Sequence, residues 1–108
     1  MNVYQIALPC SYDPSLPFGS LEVSKWVERA LDAAGGYTYL GKRLGAWMDG
    51  TGLVHTEQMH WYEVACDRDV WNVLVHYAFD LFPNEQAIYT AKAGEAEIIA
   101  RPLVSGGE

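Results

Sequence analysis

The residues best able to move protons lie in one short run, His55-Thr56-Glu57-Gln58-Met59-His60. A zinc-protease helix needs histidines at i and i+4 with a glutamate directly after the first, and this run misses that pattern by one residue. On a strand, where successive side chains alternate, His55, Glu57, Met59, Trp61 and Glu63 share one face. Thr56, Gln58, His60, Tyr62 and Val64 share the other, so the two histidines cannot hold one metal and no metal site is expected. What remains is an acid–base pair of His55 and Glu57, set against the plainer reading of polar residues on a solvated strand.

Cys10 ends an apolar alternation and precedes Ser11, Tyr12 and Asp13 in a loop, a usual place for active-site groups. A nucleophilic thiol needs a base and oxyanion donors, and spacing places neither, so an inert buried thiol is the preferred reading. Cys66 stands before a helix start that would favour its thiolate, but Asp67 and Asp69 oppose it. Two isolated cysteines make neither a disulfide scaffold nor a zinc ribbon. Gly41-Lys42-Arg43-Leu44-Gly45 matches neither the phosphate loop nor the dinucleotide fingerprint, and no serine-hydrolase elbow is present. No cofactor is therefore expected. Gly41 and Gly45 inside a strand mark a bulge or a close backbone crossing, and Lys42-Arg43 is a minor candidate for holding an anion.

These groups must be carried by elements that the hydrophobic pattern marks out. Tyr4, Ile6 and Leu8 alternate over Val3 to Cys10, a first strand. Ser11 to Gly19, with Pro14 and Pro17, reads as a loop. From Ser20, a suitable N-cap, Val23, Trp26, Val27, Ala30, Leu31 and Ala34 recur at helical spacing until Gly35-Gly36 stops them. Tyr37 to Met48 and Leu53 to Ala65 read as a long antiparallel hairpin joined through Asp49-Gly50-Thr51-Gly52. Asp67 or Asp69 can cap a second helix whose apolar stripe runs from Val70 through Trp71, Leu74, Val75, Ala78 and Leu81 to Phe82, and Pro83 ends it. Gln86 to Lys92 and Glu95 to Arg101 are two further strands about Ala93-Gly94. The expected domain is single, residues 1–104, with a tail at 105–108.

The order β-α-β-β-α-β-β is the split βαβ pattern with one strand added, an α+β arrangement in which both helices cover one face of an antiparallel sheet. It resembles the ferredoxin-like superfold. Through Gly45-Ala46-Trp47-Met48-Asp49-Gly50-Thr51-Gly52 and Leu81-Phe82-Pro83-Asn84-Glu85-Gln86-Ala87 the chain also resembles small uncharacterised bacterial and mobile-element proteins of that fold. The resemblance implies the fold and brings no catalytic residue with it.

Period two sets Tyr62, Val64, Ile6 and Leu8 under the helices. It leaves Gln5, Ala7, Glu57, Met59, Trp61 and Glu63 on the open face, where a merely solvated sheet would show small polar groups. Trp26 and Trp71 lie on helices and belong to a core. Trp47 and Trp61 lie on the hairpin, and aromatics there call for a cover: a second subunit, the C-terminal segment or a ligand. The expected function is accordingly a non-catalytic interaction or ligand-binding module, a homodimer or partner of another protein, working through Trp47, Glu57, Met59, Trp61 and Glu63. The alternative is a small enzyme using His55, Glu57 or Cys10.

The 108 residues carry seven Lys+Arg against fourteen Asp+Glu, a formal charge of −7, and half of them are hydrophobic. That composition supports a core, and it disfavours nucleic acid, since phosphate binding rests on clustered Lys and Arg. No run approaches the roughly 18 apolar residues of a membrane span, and Met1 to Gln5 do not read as a signal peptide. A cytoplasmic protein with no membrane partner is expected.

Overall fold

A computed structural model describes residues 1–10, 21–92 and 95–102, with the backbone alone for 95–98. The elements are β1 (Asn2–Pro9), α1 (Leu21–Ala34), β2 (Thr38–Met48), β3 (Val54–Cys66), α2 (Arg68–Leu81), β4 (Ala87–Lys92) and β5 (Glu95–Ala100). They form one antiparallel five-stranded sheet in the order β2-β3-β1-β4-β5. This is the α+β, ferredoxin-like arrangement expected, with β5 added outside β4. The loop Ser11–Gly19, the Ser20 cap, the Ala93-Gly94 turn and the 105–108 tail lie outside the described residues.

Alternation in the strands and the 3.6-residue repeat in the helices meet in one core. Tyr4, Ile6 and Leu8 of β1, Tyr62 and Val64 of β3 and Ile88 of β4 pack under Val23, Trp26, Val27 and Ala30 of α1 and Trp71, Leu74, Val75, Ala78 and Phe79 of α2. Tyr4 stacks on Trp71 with ring centroids 4.9 Å apart, and Trp26 donates its indole N–H to the Leu74 carbonyl at 2.9 Å, tying α1 to α2. Burying an indole with that donor satisfied avoids the cost of an orphaned N–H.

The ends of the elements follow local chemistry. Gly35 adopts φ +82° and returns its N–H to the Leu31 carbonyl at 2.9 Å, the left-handed stop that glycine accepts without strain. Asp67 occupies the N-cap position of α2 but makes no side-chain capping bond, so the capping expected of it is reduced to its charge near the helix start. At the other end Arg101 serves α2: its guanidinium donates to the carbonyls of Phe79 and Phe82, both at 2.6 Å, and of Glu85 at 2.8 Å. In sequence Arg101 is only the last residue of the final strand. Its role depends on β5 bringing it back beside a helix end some twenty residues earlier, which no local pattern announces.

The β2–β3 hairpin is the part of the fold that positions the site. Between Tyr39 and Gly41 the register slips, and Gly41 takes φ +101°, a bulge as its glycine suggested. Gly45 does not mark a close crossing: a Cβ there would meet only the Glu57 carbonyl at 3.9 Å. Beyond the bulge the hairpin runs past the helices, and Leu44 (69% exposed), Met48 (66%), Leu53 and Val54 are left uncovered on it.

The open sheet face as candidate functional site

Pairing of β2 with β3 sorts the open face into rows. Trp47 stands opposite His55, Gly45 opposite Glu57, Arg43 opposite Met59, and Gly41 opposite Trp61, with Ala7 of β1 continuing the last row. Same-face rows lie roughly 7 Å apart, two residues of strand rise. The five residues expected on this face, Trp47, Glu57, Met59, Trp61 and Glu63, all lie on it.

Trp61 finds part of its cover within its own sheet. Tyr89 of β4 meets it edge-on at 5.2 Å across β1, and the Arg43 guanidinium sits over its other side at 5.4 Å. The two rings close over Ala7, whose small side chain lets them approach and which is only 1% exposed despite facing away from the helices. Trp47, by contrast, is 51% exposed and stacks on His55 at 5.2 Å with planes 18° apart. Between the Trp47–His55 row and the Arg43–Met59 row, Gly45 supplies no side chain. The result is a bare glycine floor beside the Trp47–His55 stack and opposite Glu57 in register, with the Arg43 guanidinium turned the other way, over Trp61.

The turn that presents Trp47 is organised by Asp49. Its carboxylate accepts from the Thr51 hydroxyl at 2.6 Å, the Thr51 N–H at 2.8 Å and the Leu53 N–H at 3.1 Å, and lies 2.7 Å from His55 Nε2. The Thr51 hydroxyl first, then His55 and the backbone amides, hold Asp49 well below the usual carboxylate range. An ionised Asp49 requires the proton on His55 Nε2, which fixes the imidazole against Trp47. The His55 partner is thus Asp49, not the Glu57 that strand alternation suggested. Asp49 had been read only as a turn residue, and the dyad depends on how the turn folds back.

Glu63 lies further down the face, accepts from the Gln5 amide at 3.1 Å and lines a shallow groove of about 300 Å³ with Val3, Gly36 and Tyr37. The Gly45 gap and this groove are separate. Cys10 and His60 belong to neither. Cys10 follows β1 with its N–H directed to the Gln58 carbonyl at 3.4 Å, and burial pushes its thiol up, more than Lys42 lowers it. His60 turns to the helix side, 3% exposed, with Tyr39 Oη 2.9 Å from Nδ1. Burial, helped by Lys42, lowers its pKa, so the neutral ring is favoured and shares a hydrogen bond with the Tyr39 hydroxyl through Nδ1. Burial, then Asp67, raises the Cys66 thiol as well. Among the described residues no group of three or more His, Cys, Asp or Glu stands together as metal ligands, and no helix is long and apolar enough to cross a membrane.

The architecture is that of the ferredoxin-like superfold with an appended edge strand. Among solved structures the chain is similar to a phage SAM lyase in complex with S-methyl-5'-thioadenosine, with a TM-score of 0.55 and 8% identity, covering 94% of this chain and 89% of that one. That likeness is one of fold. No family model matches the chain, and no curated protein matches it.

Proposed function

We propose that this chain is a ligand-binding module that takes a planar, nucleoside-like molecule on the open sheet face, in the gap floored by Gly45. The single observation that carries this reading is the arrangement of that gap. Trp47 offers an exposed π-face held by His55 beside the bare Gly45, and Glu57, opposite Gly45, offers an acceptor for amino or hydroxyl groups. Stacking of a base on an aromatic contributes about 1–3 kcal/mol. The phage lyase of similar fold was captured with S-methyl-5'-thioadenosine, which supports a nucleoside as the class to try first.

The test is titration of the protein with S-methyl-5'-thioadenosine and with adenosine, followed by tryptophan fluorescence and calorimetry. Saturable binding is expected, weakened about tenfold or more by Trp47→Ala and by Gly45→Leu, which fills the floor. No saturable signal at millimolar ligand overturns the reading.

An enzymatic reading is favoured by one further observation, the Asp49–His55 pair beside the same gap. Incubation with S-adenosylmethionine discriminates the two. Turnover lost in His55→Gln or Glu57→Gln replaces binding with catalysis.

A further inference from the structure

The outer edge of β2 leads to a partner. Past the bulge at Tyr39/Gly41, the segment Lys42–Met48 runs in unbroken register with β3, and among the described residues β2 has no neighbour on its other side. A long regular edge presents unpaired N–H and C=O groups, a template for another strand unless a bulge, proline or inward charge blocks it. Here the bulge protects only the base of the strand. The opposite edge, β5, is shorter and is followed within two residues by Pro102.

The sequence of this edge fits itself. In an antiparallel pair of two β2 strands centred on Gly45, Arg43 of one copy meets Trp47 of the other, Leu44 meets Ala46, Lys42 meets Met48, and Gly45 meets Gly45. Arg43 and Trp47 both lie on the open face, so the pairing sets Arg43, which rests over Trp61 of its own copy, across from an exposed indole of the other, twice by symmetry. Lys42, Leu44 and Met48 share the helix-side face, where the exposed Leu44 and Met48 gain apolar contact and a lysine stem.

Charge points to the same place. The chain carries −7, yet from Lys42 to Gln58 the two basic residues Lys42 and Arg43 are matched by Asp49 and Glu57. All of the net charge lies elsewhere, so this hairpin is where two copies approach with least repulsion.

We infer that the chain forms a two-fold homodimer by antiparallel pairing of β2 with β2 about Gly45, extending two five-stranded sheets into one of ten strands. The dimer brings Arg43 and Trp47 of different copies to the rim of a widened glycine floor. It goes beyond the nucleoside reading, and its tests use no ligand, so either can fail alone.

Sedimentation of the unmodified protein at tens of micromolar is expected to show a dimer. Arg43→Glu or Trp47→Arg alone is expected to give monomer with unchanged circular dichroism, because each places unfavourable groups across the axis. The double variant Arg43→Glu/Trp47→Arg is expected to associate again, its opposed charges meeting between copies.

Gly45→Cys fixes the register. A side chain there is tolerated sterically, and directly opposed strand residues lie within disulfide reach. With oxidised glutathione it is expected to give a covalent dimer on non-reducing gels, which the unmodified chain and Gly50→Cys at the turn do not. A monomer at every concentration, association untouched by both single variants, or equal cross-linking of Gly50→Cys overturns the inference.

Discussion

His60 shows how one buried side chain sets a pH response. A base whose pKa is lower in the folded chain binds protons more readily when unfolded, so acid favours unfolding. Its stabilising contribution is whole above the ordinary imidazole value of about 6.5 and shrinks as pH falls from there toward the lowered folded value. Lys42 on β2 adds to the effect. Thermal melts are expected to show stability falling as pH drops from 7 toward 5, with a shallower slope for His60→Gln over the same window; equal slopes would remove His60 as the cause. Alternation alone placed His60 opposite to His55 and assigned every side chain of β3 to its face. It gave no hint of the Tyr39–His60 or Asp49–His55 pairs, because each joins residues through a bulge or a turn whose geometry period two does not contain.

Among the elements, α2 carries the clearest dependence on a distant residue. Three carbonyls at and after its C-terminus accept from Arg101, whose guanidinium also lies 4.8 Å from the Phe79 ring centre. Truncation to alanine leaves those carbonyls without a charged donor, and hydrogen bonds to charged groups contribute about 1.5–3 kcal/mol. Arg101→Ala is expected to lower the urea midpoint accordingly, with Arg101→Lys recovering part of the loss, since one ammonium cannot span three acceptors. An unchanged midpoint in the alanine variant would reduce the contact to surface decoration. The helices and strands were legible within a residue or two because Val23 to Ala34 and Val70 to Phe82 repeat apolar groups at helical spacing, and glycine or proline ends each run. The hairpin was legible as two strands, but its extension past the helices was not. Leu44, Met48 and Val54 are apolar residues of the strands, and only the reach of α1 and α2 decides that nothing within the described residues covers them.

At the scale of the whole molecule, charge and topology set what the surface meets. Lys42 and Arg43 are the only adjacent basic residues and point to opposite faces of β2, so a −7 chain offers no continuous track for a phosphate backbone. No mobility shift of duplex DNA is expected in low-salt buffer, where attraction is least screened. A shift that vanishes with added salt would overturn this and direct attention to Arg43 and Trp47 as a single-strand stacking surface. The strand order has a temporal meaning as well. β1 lies in the middle of the sheet, between β3 and β4, yet it leaves the ribosome before either neighbour has been made. The β2–β3 hairpin closes through a short turn on a microsecond scale, whereas β1 must wait for Cys66 before it can pair from Asn2 onward. Throughout that interval Tyr4, Ile6 and Leu8, which end fully buried, are an apolar nascent strand with both edges open, which is the stage of synthesis at which a chaperone has most to hold.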